Sequence, residues 1–372
     1  MTPNTTRARI PPGLSMFLDL SRIALSLVVA LGHATEPRFQ DLWGDLTQYA
    51  VACVGGFFVI SGYTIRLLYP GAGDFSLRRY WIERWSRILS VTIPALLLTA
   101  VLDTASQHAD PEYYRANWAG YMDHPLPRLL INLFGLAQVW GQDISPLSNS
   151  PFWSLSYELS FYLVYGLWLS GRRRLAIVCL ILLGPHIAAM LPLWLLGVVA
   201  HDLFQPGRGW ARRVAWIVGG LAAAGVVAAF GVSAREHIQG AGINLQRVQV
   251  TLVFGTLVFF ALFVPTVALT RRLRVSAPRL QHVIRRLGDM TFPLYLFHFP
   301  ILVFMASFHL YDRQSAPQQL LAFGVLLLIV ALATPATDAL KIQIRARLLL
   351  MGTRRSSTPP TDKLVPKTCP HQ

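Results

Sequence analysis

Arg22 and His33 lie in the first long apolar stretch of this 372-residue chain, about residues 14–34, with ten residues between them. An α-helix turns about 100° and rises 1.5 Å per residue, so the pair would share one face, about 16 Å apart along the axis. Asp19 precedes Arg22 by one turn of the same helix. A charged side chain at the centre of a bilayer helix costs about 3 kcal/mol, and such groups usually face a protein interior or a wet cavity. Arg22, Asp19 and His33 therefore predict a lined site on a helix that is otherwise Leu, Val, Ile and Ala. Asp19 and Arg22 are also spaced to pair with each other as a structural bridge near the membrane surface.

His33 falls near the outer end of its stretch, and Glu158 in the outer third of the apolar stretch that begins at Phe152. A carboxylate that accepts a histidine N–H fixes the tautomer and strengthens the ring as a base. A meeting of His33 with Glu158 would supply half of an acyl-transfer site; the alternative is a buried acid satisfied by Trp153, Ser154 or Tyr157. Arg78, Arg79, Arg84 and Arg87 lead into the third apolar stretch, and Arg84 and Arg87 are three apart on one helix face. Guanidinium forks suit phosphate oxygens, so this pair could hold the phosphates of a nucleotide-like donor. Anchoring of a cytoplasmic loop would use the same residues.

Tyr295 and His298 are one turn apart between Pro293 and Pro300. The prolines free backbone carbonyls, which membrane helices tolerate where a cavity is lined, so both side chains are candidate walls. The run Gly55-Gly56-Phe57-Phe58-Val59-Ile60-Ser61-Gly62 reads as a close-packing surface, since small residues let helices approach in lipid; Ser61 could also face a ligand.

These residues need membrane helices to position them. The chain is 53% hydrophobic and 14% charged, with a mean hydropathy of +0.45, beyond what a soluble domain of this length tolerates. Stretches long enough to cross a bilayer, or nearly so, occur at about 14–34, 45–69, 86–104, 152–170, 175–190, 191–204, 213–232, 249–270, 290–309 and 317–337. The expected fold is thus an all-α integral membrane protein with about ten transmembrane helices; a further stretch, 128–141, is marginal and re-entrant or interfacial. With the N-terminus inside, 26 of the 33 Lys and Arg residues fall in cytoplasmic segments, the asymmetry that sets orientation. Both termini are then cytoplasmic, with 1–13 a short leading segment, 14–340 the membrane domain, and 341–372 a basic tail without fixed structure.

The net charge of +15 is read as this topology signal and not as nucleic-acid binding. Asp19 and Arg22 interrupt the first apolar stretch, so it is expected to remain as a helix and not be cleaved as a signal peptide. Cys53, Cys179 and Cys369 are scattered, giving neither a disulfide framework nor a metal-ligand spacing.

Taken in order, the motifs resemble the acyltransferase-3 family of bacterial inner-membrane O-acyltransferases, which includes polysaccharide and nodulation-factor O-acetyltransferases. The resemblance rests on Leu18-Asp19-Leu20-Ser21-Arg22 with His33, the Phe57 to Gly62 run, Arg84-x-x-Arg87, Phe152-Trp153-Ser154-Leu155-Ser156-Tyr157-Glu158 and Tyr295-Leu296-Phe297-His298. It implies an acyl-CoA co-substrate, usually acetyl-CoA, held from the cytoplasm by Arg84 and Arg87, and an acceptor hydroxyl on a glycan. His33 would be the general base, oriented or charge-stabilised by Glu158, or else a nucleophile that carries the acyl group covalently, with Arg22 along the donor's route and Asp19, Trp153, Tyr295 and His298 lining the passage. No bound cofactor or metal is expected. Ser21 stands where many relatives carry glycine. A transporter of an acyl or sugar substrate is the rival reading, since buried charges and proline-broken helices suit it equally; no inverted repeat is visible to favour it.

Overall fold

The computed structural model describes residues 11–70, 75–203 and 277–353, together with Gly209, Thr251, Gly255 and Thr270. Every regular element among the described residues is helical. The principal helices are α1 (Pro12–Ala34), α2 (Thr47–Leu68), α3 (Leu77–Ala109), α4 (Pro111–Trp118), α5 (Pro125–Leu133), α6 (Trp153–Leu169), α7 (Arg173–Leu183), α8 (Pro185–Leu203), α9 (Pro278–Ser307) and α10 (Ala316–Thr353). Six of them, α1, α2, α3, α8, α9 and α10, are long and apolar enough to cross a membrane. The stretches expected at 213–232 and 249–270 lie outside the described residues. "Inner" and "outer" below denote the ends of the bundle at which α1 begins and finishes.

Helix α1 starts at Pro12, whose missing N–H is no loss in a first turn. It stops where the chain folds back: Glu36 N donates to the His33 carbonyl at 3.2 Å and Phe39 N to that of Glu36 at 2.8 Å. Helix α1 packs against α2 and α9, α2 against α8, and α9 against α3 and α10. The α2–α8 contact is backbone to backbone. A Cβ on Gly62 would stand 2.0 Å from the Trp194 carbonyl oxygen, and one on Gly197 would stand 2.0 Å from that of Val59. The packing role expected of the glycine-rich run is realised here, with the reciprocal glycine supplied by α8.

Three boundaries differ from expectation. The break expected at Pro192 falls instead at Gly184, whose φ of +95° is outside the helical region, while Pro192 sits inside α8. Glycine adopts that dihedral without steric penalty, and a proline in a membrane helix removes only one ladder bond. Helix α7 is therefore only 11 residues long, about half the length that a bilayer core requires. The marginal stretch at 128–141 splits into α5, of nine residues, and irregular chain. Helix α10 continues through 341–353, into the segment expected to lack structure; Lys341-Ile-Gln-Ile-Arg-Ala-Arg-Leu-Leu-Leu contains no breaker and many good helix formers.

Irregular chain between α5 and α6 is held to the core by buried polar groups. Asp103 accepts from Ser148 N at 2.8 Å and from Ser148 Oγ at 2.7 Å. Asn149 Nδ2 donates to Thr99 Oγ1 at 3.0 Å and to the Leu296 carbonyl at 2.9 Å. The latter carbonyl is free because its normal helical partner, four residues on, is Pro300, which has no N–H. A proline on α9 thus creates the socket that fixes the start of α6.

Candidate active site

Two cavities meet the bundle core from opposite ends. The inner one, about 80 Å³, is lined by Arg22 of α1, Ser61 and Thr64 of α2, Arg84 and Arg87 of α3, Glu158 and Tyr162 of α6, and Tyr295 of α9, among apolar neighbours. The outer one, about 460 Å³, is lined by His33, Glu36, Arg38, Asp45, Asn117, Pro151 and Trp153, among others. Its volume falls within the usual range for small-molecule sites.

The wall between them is thin. Trp153 faces the outer cavity, and its neighbour Ser154 faces the inner one. Tyr295 closes the gap: its hydroxyl lies 2.6 Å from Ser154 Oγ and donates to the Pro151 carbonyl at 3.0 Å. Phe57 packs edge-on against the Tyr295 ring at 5.8 Å.

On the inner side Arg22 donates to Thr64 Oγ1 at 2.8 Å and pairs with Asp19 at 3.4 Å. Thr64 in turn donates to the Ile60 carbonyl one turn back, at 2.7 Å, so α2 itself orients the arginine's partner. Arg84 is 7% exposed, its guanidinium stands 5.9 Å from the Tyr162 ring centre, and its Nε has no hydrogen-bond partner among the described residues. A buried cationic donor left unsatisfied is costly unless an anion completes it. Glu158 accepts from Ser61 Oγ at 3.0 Å and from the Tyr162 hydroxyl one turn along α6.

On the outer side His33 Nδ1 lies 2.5 Å from Glu36 Oε1, and the other oxygen of Glu36 lies 2.7 Å from Arg38 Nε. His33 and Glu36 are 8% and 5% exposed. The His298 ring stands 5.3 Å from that of His33, centre to centre, and its Nδ1 donates to the Leu294 carbonyl at 2.9 Å. The loop after α1 is tied from two directions. Tyr113 donates to the Arg38 carbonyl at 2.6 Å and Tyr311 to that of Phe39 at 2.9 Å. Burial pushes the Tyr311 phenol up to about 12 and raises that of Tyr113 as well, so both remain neutral donors.

The expected residues are thus divided. Arg22, Arg84, Arg87, Glu158 and Tyr295 share the inner cavity, while His33 and Trp153 line the outer one. Asp19 makes the one-turn bridge to Arg22 and, like His298, is not among the residues lining either cavity. The meeting expected of His33 with Glu158 does not occur: the histidine's carboxylate is Glu36, and Glu158 faces the arginines. Four contributors were missed. Thr64 and Tyr162 sit three and four residues from Ser61 and Glu158 on their own helices, a spacing that could have found them; Glu36 and Arg38 lie in the loop after α1 and carried no such signal. Among the described residues no three His, Cys, Asp or Glu side chains converge as metal ligands.

Over 180 residues the chain is 26% identical to "Acyltransferase MdmB" of Streptomyces mycarofaciens, a match covering 48% of this chain and 43% of that one. No solved structure matches. A family described as "Acyltransferase domain", the acyltransferase-3 family, matches residues 16–337. The chain, whose described residues fold into helices with a cavity at each end of the Arg22–His33 face, belongs to the acyltransferase-3 family.

Proposed function

We propose that the protein transfers an acyl group, acetyl in the first instance, from acyl-CoA to a hydroxyl of a glycan or glycan-like acceptor, in a bacterial inner membrane with both termini in the cytoplasm. The observation that carries this reading is that one face of α1 holds Arg22 in the inner cavity and His33 in the outer one, on two sides of a wall built by Trp153, Ser154 and Tyr295.

The donor's phosphates dock on Arg84 and Arg87, whose charges suit an anion, as does the unsatisfied Nε of Arg84. The pantetheine arm runs past Arg22 toward the wall, a distance on the order of the ~16 Å between Arg22 and His33 on helix geometry. The acceptor occupies the outer cavity with a hydroxyl at His33. His33 removes the hydroxyl proton as the oxygen attacks the thioester carbonyl, and the proton finally passes to the departing CoA thiolate. Both partners are held before reaction, which replaces a bimolecular encounter with a positioned one. Glu158 belongs to the donor side in this scheme, where it fixes Ser61 and Tyr162.

The test uses purified protein in nanodiscs with acetyl-CoA and an extract of surface glycans and secreted metabolites from a deletion strain. Mass spectrometry should find an acetyl increment on one component with the wild type, and none with His33→Ala or Arg22→Ala. Wild-type transfer retained by both variants would overturn the assignment.

A further inference from the structure

We infer that Glu36 is the positioning residue of the reaction, a loop carboxylate that fixes the His33 tautomer and is itself locked by Arg38. The inference rests on the proposed general-base role of His33.

Glu36 uses both of its oxygens. One takes the His33 Nδ1–H at 2.5 Å and the other the Arg38 Nε–H at 2.7 Å. Since a carboxylate only accepts, His33 must carry its proton on Nδ1, leaving the Nε2 lone pair as the base. Arg38 prevents the carboxylate from turning away and is held in place itself, with its guanidinium 5.4 Å from the Trp118 ring centre. The backbone is pinned on either side: Glu36 N to the His33 carbonyl, the Arg38 carbonyl to Tyr113, and Arg313 to the Pro37 carbonyl at 2.5 Å. A carboxylate buried to 5% exposure with two charge-assisted partners is a built arrangement, and it borders the outer cavity.

As the acceptor hydroxyl gives its proton to Nε2, the ring becomes an imidazolium. Glu36 then faces a full positive charge instead of a neutral N–H, so its interaction strengthens as the transition state forms, which is what raises kcat instead of lowering KM.

The discriminating pair is Glu36→Gln against Glu36→Asp, with CoA release from acetyl-CoA measured in nanodiscs in the presence of the deletion-strain extract. Glutamine keeps the shape but has one oxygen, so its amide N–H must face either Arg38 or His33. Aspartate keeps both acceptors and the charge on a shorter stem. A purely structural residue would be better replaced by glutamine. The expected result is the reverse: kcat falls about 100-fold or more for Glu36→Gln and within about 10-fold for Glu36→Asp, with the KM for acetyl-CoA unchanged in both. Equal activity of the glutamine variant and wild type, or a loss confined to KM, would overturn the inference. Should Glu36→Gln fail to accumulate, Arg38→Gln takes its place, with an expected kcat loss of about 10-fold or more; an unchanged kcat would count against the inference. Absence of CoA release from the wild type would instead overturn the reading on which the inference rests.

Discussion

The Tyr295 hydroxyl lies 2.6 Å from Ser154 Oγ and donates to the Pro151 carbonyl at 3.0 Å, so one phenol closes the wall between two cavities that open at opposite ends of the bundle. In the proposed reaction a wall of this kind would let the donor and the acceptor load independently and would hold bulk water away from the thioester. Tyr295→Phe keeps the ring that packs on Phe57 but removes the latch. CoA release in the absence of acceptor should rise a few-fold, and acylated product per CoA released should fall. Quantifying both from the same reaction checks this, and an unchanged ratio would contradict it.

Arg84 and Arg87 should act on donor binding alone. Replacing Arg84 by lysine removes the planar fork and is not conservative at such a site. A lost charge-assisted hydrogen bond is worth about 1.5–3 kcal/mol, so the KM for acetyl-CoA should rise roughly 10- to 100-fold. A truncated donor without phosphates, the acetyl thioester of N-acetylcysteamine, should show no such difference between wild type and variant.

Glu158 faces Ser61 and Tyr162 in the inner cavity, not His33. Glu158→Gln is therefore expected to change the KM for acyl-CoA and leave kcat within about 10-fold of wild type, the opposite signature to that of Glu36→Gln. Parallel steady-state kinetics on the two variants separate the roles.

Stability should depend on the α2–α8 backbone contact. A methyl group at Gly62 would lie 2.0 Å from a carbonyl oxygen that cannot move without its helix. Overpacking costs typically about 1–3 kcal/mol, and here it also parts α2 from α8. Gly62→Ala should lower the melting temperature in detergent by several degrees, whereas Gly44→Ala, with open space around it, should not.

Much of this arrangement is legible in the sequence. The spacing of Arg22 and His33 places them on one helix face because helix geometry is local, and Pro293 and Pro300 announce a helix with free carbonyls, one of which Asn149 takes. The partner of His33 was not legible by the same reasoning. An acid stranded in an apolar stretch stands out, which points to Glu158, while Glu36 lies just past the end of α1 and looks like an ordinary loop acid. Its position depends on the turn that folds the chain back after His33, and on tethers from Tyr113, Tyr311 and Arg313 that are remote in sequence. The break at Gly184 was likewise masked by the more conspicuous Pro192.

Sidedness tests the central claim most directly. Protein reconstituted in one orientation, with radiolabelled acetyl-CoA supplied only at the face bearing Arg84 and Arg87, should label an acceptor confined to the face bearing His33, and His33→Ala should abolish that label. Label that appears only when donor and acceptor share one side, or that persists without His33, would contradict it.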